Sequence, residues 1–219
     1  MKNIFLSRPN WIHPDYEEGL KNFLNLIKSH DLNPRTIGTT DFPSKSPMDG
    51  VIDLMNQCEG AIILGYPQIN ISIGHLKEKE VSSLYLATEW NHIETAIAYS
   101  LGLPLLVIHD TNVTRGVFDR GVLNSFLYSK NFADTSWSIS DEIIGALSKW
   151  KDELMPINIL NNKEKKNHET PKSKWGALEF EGDENLYCPV CYEKKNLKIV
   201  TSRINSKFRQ CPNCKAMLS

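Results

Sequence analysis

Long apolar runs are missing from this sequence of 219 residues. No stretch approaches the roughly 18 consecutive apolar residues of a membrane-spanning helix, so no membrane partner is expected. The opening residues, 1–6, are too few to form a secretory signal and are soon followed by Arg8. A hydrophobic content of 41% and a charged content of 23% are typical of a globular protein. Together these features predict a soluble, cytoplasmic protein.

Cysteine is scarce, and four of the five cysteines form two CxxC pairs, Cys188/Cys191 and Cys211/Cys214. Such pairs favour a metal site in a reducing compartment over disulfides. The 19 residues between the pairs match the spacing of a four-cysteine zinc ribbon. Four thiolates leave no open coordination position, so the predicted zinc is structural. Cys58 has no adjacent His and is interpreted as a small core residue.

An overall excess of charge is also missing, since the formal net charge is -1. From residue 161 onward, however, 12 Lys+Arg accompany 7 Asp+Glu, whereas 13 accompany 19 before it. We predict a first domain over 1–156, a polar, Lys-rich linker over 157–174 and the zinc ribbon over 175–219.

Basic residues between the two cysteine pairs are interleaved with Tyr192 and Phe208. This combination suits contact with nucleic acid phosphates. It equally suits a protein docking surface, and the sequence leaves both partners open.

Apolar runs alternate with amphipathic segments along the first domain. The predicted strands cover residues 2–6, 35–38, 61–66, 104–108 and 126–128. The predicted helices cover residues 14–32, 47–58, 88–101 and 141–154. This alternation predicts an α/β domain with an open parallel sheet and helices on both faces.

One helix is predicted to carry an acid near its start. Thr88 is a suitable N-cap, and Ile93, Ala96 and Ile97 supply an apolar stripe. At Glu94 the helix dipole favours the ionised carboxylate and burial opposes it. A carboxylate held between these effects in a cleft can stabilise a cation or transfer a proton. A solvated Glu in the first turns is the alternative, and spacing leaves both open.

Polar residues directly follow the first two predicted strands. Ser7 and Arg8 follow the first, at the edge where open parallel sheets bind ligands. The planar fork of Arg8 suits a phosphate, although a surface ion pair is the alternative. Asp41 follows the second strand, where it can meet a ribose hydroxyl or form an Asx turn.

A long connection, residues 67–87, follows the third strand and separates Tyr66 from the acid-bearing helix. Long loops are often functional, so a lid or wall of the site is predicted. A solvated insertion is the alternative, because residues 77–80 read Lys-Glu-Lys-Glu. Neither His75 nor His92 has a partner at metal-ligand spacing, so neither is predicted to bind metal.

The spacing of Thr88, Trp90 and Glu94 resembles the Ser-x-Trp-Cys-x-x-Glu segment of TIR domains, with Asn91 where those domains often have Cys. Residues 96–104 resemble the corresponding segment of nucleoside 2-deoxyribosyltransferase-like proteins. The resemblance covers roughly residues 2–150.

This resemblance implies a flavodoxin-like order of five strands and a catalytic Glu94 that cleaves an N-glycosidic bond, by hydrolysis or transfer, in NAD or a related nucleotide or nucleoside. It also implies bacterial anti-phage defence, with a homo-oligomer or a partner defence protein. The alternative is a module that senses a nucleotide-derived signal, or assembles, without catalysis. The predicted substrate contacts are Ser7, Arg8, Asp41, Tyr66, Trp90 and Asn91.

Overall fold

The chain divides into two compact units, Met1–Asn161 and Asn162–Ser219. The computed structural model describes residues 1–44, 46–123, 125–154, 171–180, 182–195 and 197–219. Most of the predicted linker therefore lies outside the described residues. None of the helices in the described ranges has the length and apolar character that crossing a bilayer requires.

A five-stranded sheet forms the centre of the first unit. Its strands are β1 (Lys2–Ser7), β2 (Leu32–Arg35), β3 (Ala61–Gly65), β6 (Leu105–Asp110) and β7 (Leu127–Lys130). Every neighbouring pair is parallel, and the order is β2-β1-β3-β6-β7. The predicted flavodoxin-like order is confirmed.

Helices cover both faces of this sheet, as predicted. They are α1 (Glu17–Ser29), α2 (Pro47–Met55), α3 (Glu89–Ser100) and α4 (Asp141–Asp152). Alternate side chains of a strand point to opposite faces. Accordingly, Ile4 of β1 packs in one core cluster with Phe23 of α1 and Ile143 of α4, whereas Phe5 packs in another with Val51 of α2 and Ala98 of α3.

The second strand begins earlier than predicted. The prediction extended the first helix to residue 32 and placed the strand at 35–38, but α1 ends at Ser29 and β2 occupies Leu32–Arg35. Pro34, which cannot lie in a helix interior without disrupting it, lies inside β2. An edge strand tolerates proline, because one side of the strand needs no ladder hydrogen bonds.

The long connection after β3 is a β-hairpin rather than an irregular loop. Its strands, β4 (Ile69–Leu76) and β5 (Lys79–Leu86), pair antiparallel, and the backbone N–H of Gln68 donates to the carbonyl of Leu86 at 2.8 Å. One face repeats apolar residues at every second position, yet Ile73 is 73% exposed. The sequence does not predict the hairpin, because Ser82-Ser83 separates Val81 from Leu84 and breaks the apolar alternation of the second strand.

The second unit is built from short elements. They are β8 (Lys172–Lys174), β9 (Ala177–Glu179), β10 (Leu186–Tyr187), α5 (Pro189–Lys195), β11 (Ser202–Arg203), β12 (Arg209–Gln210) and β13 (Met217–Leu218). The strands form two antiparallel three-stranded sheets, β10-β9-β8 and β11-β12-β13. The buried aliphatic cluster consists of only Ala177, Leu186 and Leu218 among the described residues. A second buried cluster is formed by cysteines.

Candidate active site and metal centre

A cavity of about 250 Å³ opens where the first three strands of the sheet end. Residues after β1, β2 and β3 line it, together with residues of α2 and the start of α3. This is the edge at which open parallel sheets bind ligands. The lining residues are Arg8, Pro9, Asn10, Trp11, Ile37, Pro47, Val51, Gln68, Thr88, Trp90 and Glu94.

Helix α3 buries a partly polar face toward this site. Its buried residues are Asn91, Glu94, Thr95 and Ala98. The predicted stripe is wrong in part, since Ala96 is exposed and Ile93 and Ile97 are only half-buried. Burying polar groups is costly unless each finds a partner. Helix α3 is therefore held in place by polar contacts at the site as well as by apolar packing.

Glu94 is the acid of the cavity, and only 8% of its surface is exposed. Burial raises the pKa of its carboxyl to about 7, while a hydrogen bond from Ser7 opposes that rise. Near neutral pH the protonated and ionised forms are therefore both populated. The alternative of a solvated Glu does not fit this environment.

Asn91 and Ser7 lie behind the Glu94 carboxylate rather than on the cavity wall. Each is 1% exposed, and Asn91 Nδ2 donates to Ser7 Oγ at 2.8 Å. Thr88 caps α3, accepting from the Asn91 backbone N–H at 3.2 Å and donating to Asn91 Oδ1 at 3.0 Å. The structure thus brings the predicted residues together, in a layer that contacts Glu94.

Arg8 is half-buried and presents its guanidinium to the cavity. Its Nη1 donates to the Pro9 carbonyl at 2.9 Å and its Nη2 to Thr39 Oγ1 at 3.4 Å. Its buried Nε has no hydrogen-bond partner among the described residues. Burial lowers the pKa of Arg8, but a guanidinium stays charged at neutral pH. A charged guanidinium in the lining of a cavity favours an anionic ligand group.

Two exposed indoles line the cavity. Trp90 is 41% exposed, and Trp11, which was not predicted, is 64% exposed. Nothing in the sequence marks Trp11, because it is a single aromatic residue in the loop after β1. Only the folded loop brings it to the lining that Trp90 shares.

Tyr66 is not one of the residues that line this cavity. Its side chain is fully buried and packs against Phe132 and Tyr16, with ring centroids 4.5 and 5.7 Å away. Its hydroxyl has no hydrogen-bond partner among the described residues, and burial raises its pKa. The structure gives Tyr66 a place in the core.

Asp41 lies in a neighbouring cavity of about 240 Å³. Its carboxylate forms an ion pair with Arg35 and accepts from Arg35 Nε at 3.2 Å and from Thr40 Oγ1 at 2.8 Å. These contacts commit the carboxylate to its own loop and to β2. The structure does not bring Asp41 to the Glu94 cavity.

The cysteines of the second unit converge as predicted. The sulfur atoms of Cys188, Cys191, Cys211 and Cys214 all lie within 4.8 Å of one another, with pair distances of 3.5 and 3.6 Å. Zinc–sulfur bonds of about 2.3 Å at tetrahedral corners place the sulfurs about 3.8 Å apart. The Asn213 amide also approaches the Cys191 sulfur at 3.5 Å, as suits a thiolate. The four cysteines are therefore arranged to hold a metal ion.

Cys58 is a core residue of the first unit, as predicted. It is fully buried, and burial raises the pKa of its thiol to about 12. The reactive form of cysteine is the thiolate, so Cys58 is a poor nucleophile at neutral pH.

No family model matches the sequence, and no curated protein sequence matches it. Solved structures that resemble the chain include a CMP N-glycosidase, BcmB, from Clostridium botulinum, with 11% identity, a TM-score of 0.43, and coverage of 68% of this chain and 99% of that one. They also include the apo form of the NADH:FMN oxidoreductase EMOB, with 13% identity, a TM-score of 0.41, and coverage of 71% and 91%. Both likenesses are too distant to carry an argument about activity.

The raised pKa of Glu94 predicts a pH-dependent gain in stability for Glu94→Gln. The folded state holds the proton more tightly, so the stabilisation is complete below the unfolded value of 4.5 and is lost as pH rises through about 7. That shift corresponds to about 3 kcal/mol. Urea denaturation should show the free energy of unfolding of Glu94→Gln, relative to the parent, rising by about 3 kcal/mol between about pH 4 and pH 8.

The control for this experiment is Glu89→Gln, because Glu89 is exposed in the first turn of the same helix. Replacing this exposed carboxylate should not reproduce a rise of about 3 kcal/mol. A constant difference for Glu94→Gln would contradict a buried carboxyl.

Proposed function

We propose that this protein cleaves the N-glycosidic bond of a nucleotide or nucleoside, with Glu94 as the catalytic residue. The observation that carries this proposal is the buried Glu94 carboxylate, hydrogen-bonded by Ser7 in a cavity that two indoles and the Arg8 guanidinium also line. A carboxylate suits a developing cation, an indole suits a planar base, and a guanidinium suits a phosphate.

The reaction develops positive charge on the sugar. As the bond between C1′ and the base nitrogen breaks, its electron pair leaves with the base and an oxocarbenium-like sugar remains. The ionised Glu94 stabilises or captures this cation in a water-poor site. In hydrolysis, a water oxygen then bonds to C1′ and the water's proton compensates the charge on the base. In transfer, a second base replaces the water.

The size of the cavity limits the size of the ligand that it can hold. Pockets for drug-sized ligands measure roughly 300–1,000 Å³. A volume of about 250 Å³ favours a nucleoside or a nucleoside monophosphate over a complete dinucleotide. The phosphate is assigned to Arg8, whose planar donors match phosphate geometry.

The test is release of free base from a panel of nucleosides, nucleoside monophosphates and NAD, followed by chromatography. The proposal requires release from at least one of them. Release from none, by folded and metal-loaded protein, would contradict it, and saturable binding without release would support the sensing alternative.

Trp90→Ala is expected to raise KM for the substrate by about 10-fold and to change kcat less. Stacking of a base on an aromatic side chain contributes roughly 1–3 kcal/mol, which is 5- to 150-fold in affinity. Trp11→Ala should weaken binding in the same way. Steady-state kinetics should show no change for Trp175→Ala, an exposed tryptophan of the second unit. Unchanged KM in both cavity variants would exclude stacking on these indoles.

Zinc is the proposed metal of the second unit, held by Cys188, Cys191, Cys211 and Cys214. The sulfur distances suit tetrahedral Zn²⁺, and four thiolates leave no position for a substrate. A site of free thiols favours a reducing compartment, so a cytoplasmic location is proposed.

The resemblance to TIR and deoxyribosyltransferase-like domains also motivates a role in anti-phage defence. Self-assembly, a partner defence protein, and contact of the basic second unit with nucleic acid belong to the same hypothesis. These points stay predictions.

A further inference from the structure

We propose that Thr88, Asn91 and Ser7 form a one-directional chain of hydrogen bonds that orients the Glu94 carboxylate, so that Ser7 and Asn91 are positioning residues rather than substrate contacts. The orientation is a property of the folded chain. Its kinetic consequence rests on the proposed function.

The chain begins at the helix cap. Thr88 Oγ1 accepts the backbone N–H of Asn91 at 3.2 Å, as an N-cap hydroxyl does. The single proton of that hydroxyl then points to Asn91 Oδ1, 3.0 Å away. The side-chain oxygen of Asn91 is thereby fixed toward Thr88, and its amide nitrogen faces the opposite way.

The orientation of the Asn91 amide is fixed independently at its other end. Asn91 Nδ2 lies 2.8 Å from Ser7 Oγ and 3.4 Å from the carbonyl oxygen of Leu64. A carbonyl only accepts hydrogen bonds, so the group that faces it must be the donating NH₂. Both ends of the amide therefore give the same assignment, and Asn91 donates to Ser7.

The direction of the Ser7 hydroxyl follows. Ser7 Oγ accepts from Asn91 and has one proton, which goes to the Glu94 carboxylate. Ser7 is 1% exposed, so water does not compete for that proton. Donation of this kind stabilises the ionised carboxylate. It also ties Glu94, which lines the cavity, to a residue that does not line it.

Few other charges act on Glu94. Among the described residues that line the cavity, Arg8 is the other charged group, and it comes from the end of β1. The lining residues from α2 are Pro47 and Val51, and the base of the hairpin contributes Gln68. The midpoint of the Glu94 titration is therefore governed by burial and by the hydrogen-bond chain.

The test is the titration midpoint of Glu94 in the full, metal-loaded protein, followed by NMR of ¹³C-carboxyl-labelled glutamate. The Glu94 signal is the one that Glu94→Gln removes. The parent midpoint should lie at about 7. Ser7→Ala, which deletes one oxygen atom, should raise it by about one pH unit, a tenfold change in the ionisation constant.

Asn91→Asp tests the direction of the chain. An ionised carboxylate at this position cannot donate, so the Ser7 proton would turn toward it, and the two coupled carboxyls would keep one proton to a higher pH than Glu94 alone does. The Glu94 midpoint should rise further than in Ser7→Ala, by about two units. Asn91→Ala leaves the Ser7 proton with Glu94 and should produce a smaller shift than Asn91→Asp.

Ser100→Ala is the matched control, because Ser100 is exposed in the last turn of α3 and its hydroxyl donates to the Ile97 carbonyl at 2.8 Å. It should leave the midpoint unchanged. An unchanged midpoint in folded Ser7→Ala, or a lowered one in Asn91→Asp, would overturn the proposal.

The kinetic consequence separates this inference from the proposed function. With a substrate that the panel identifies, Ser7→Ala should lower kcat at neutral pH about fivefold to tenfold with little change in KM. An equal rise in KM would make Ser7 a substrate contact instead. If no substrate is found, the midpoints still decide whether the chain orients Glu94. If a substrate is found and no midpoint moves, the inference is wrong and the proposed function stands.

Discussion

Glu94→Gln is expected to lower base release by roughly 1,000-fold or more. The amide has nearly the shape of the carboxyl group but carries no negative charge, so it can neither stabilise nor capture a sugar cation. The effect should appear in kcat, because the lost interaction develops only in the transition state. Chromatography of the released base measures it directly.

The control is again Glu89→Gln, which changes an exposed acid of the same helix and should retain parental activity. Equal loss in both variants would indicate damage to α3, and retained activity in Glu94→Gln would exclude Glu94 as the catalytic residue. In the parent, kcat/KM should rise with pH and level off above about 7, because the ionised carboxylate is the active form. A rate that falls through the same pH would assign Glu94 the role of general acid.

Removal of the metal is expected to unfold the second unit. Its buried aliphatic cluster is small, and in chains below about 70–80 residues a single hydrophobic core rarely supplies more than about 3–5 kcal/mol. Structural zinc contributes roughly 10–16 kcal/mol in comparable small modules at neutral pH. The free energy of folding that is lost with the zinc should therefore exceed the free energy that the apolar contacts of this unit supply.

Atomic emission should find one zinc per chain in the parent. Chelation should abolish the dispersed NMR signals of the second unit while those of the first unit persist, and Cys211→Ser should reproduce this effect. Cys58→Ala should keep one zinc per chain, since Cys58 lies in the core of the first unit. Dispersed NMR signals from the second unit after complete removal of zinc would show that this unit folds without the metal.

The parts of this fold that are well predicted from the sequence are those that a short stretch of residues determines. Buried strands such as β3 and the first four residues of β6 are continuous apolar runs. The cysteine centre is encoded by the spacing of its two pairs. The end of α1 was misplaced, because Asp31 terminates the helix with a φ of 60° and no glycine announces that turn. The hairpin is not predicted, because Ser82-Ser83 interrupts the apolar alternation of its second strand.

Sequence reasoning selects single candidate residues, such as Glu94, more readily than it predicts which residues contact one another. Glu94 was identified from its place in the helix and from a resemblance. Ser7 and Asn91 were also selected, but 84 positions separate them, and only the fold shows that they contact each other. Asp41 was selected for its position after a strand, and its pairing with Arg35, a partner six positions away, is seen only in the structure.

The hairpin enters and leaves the fold at one place, because Gln68 and Leu86 are joined by a backbone hydrogen bond. A segment whose two ends are neighbours can be lengthened, shortened or replaced without moving the elements on either side. Relatives of this protein should therefore vary in length between β3 and α3 more than elsewhere in the sheet unit. The exposed turn of the hairpin, residues 77–78, offers a natural insertion point for a reporter domain.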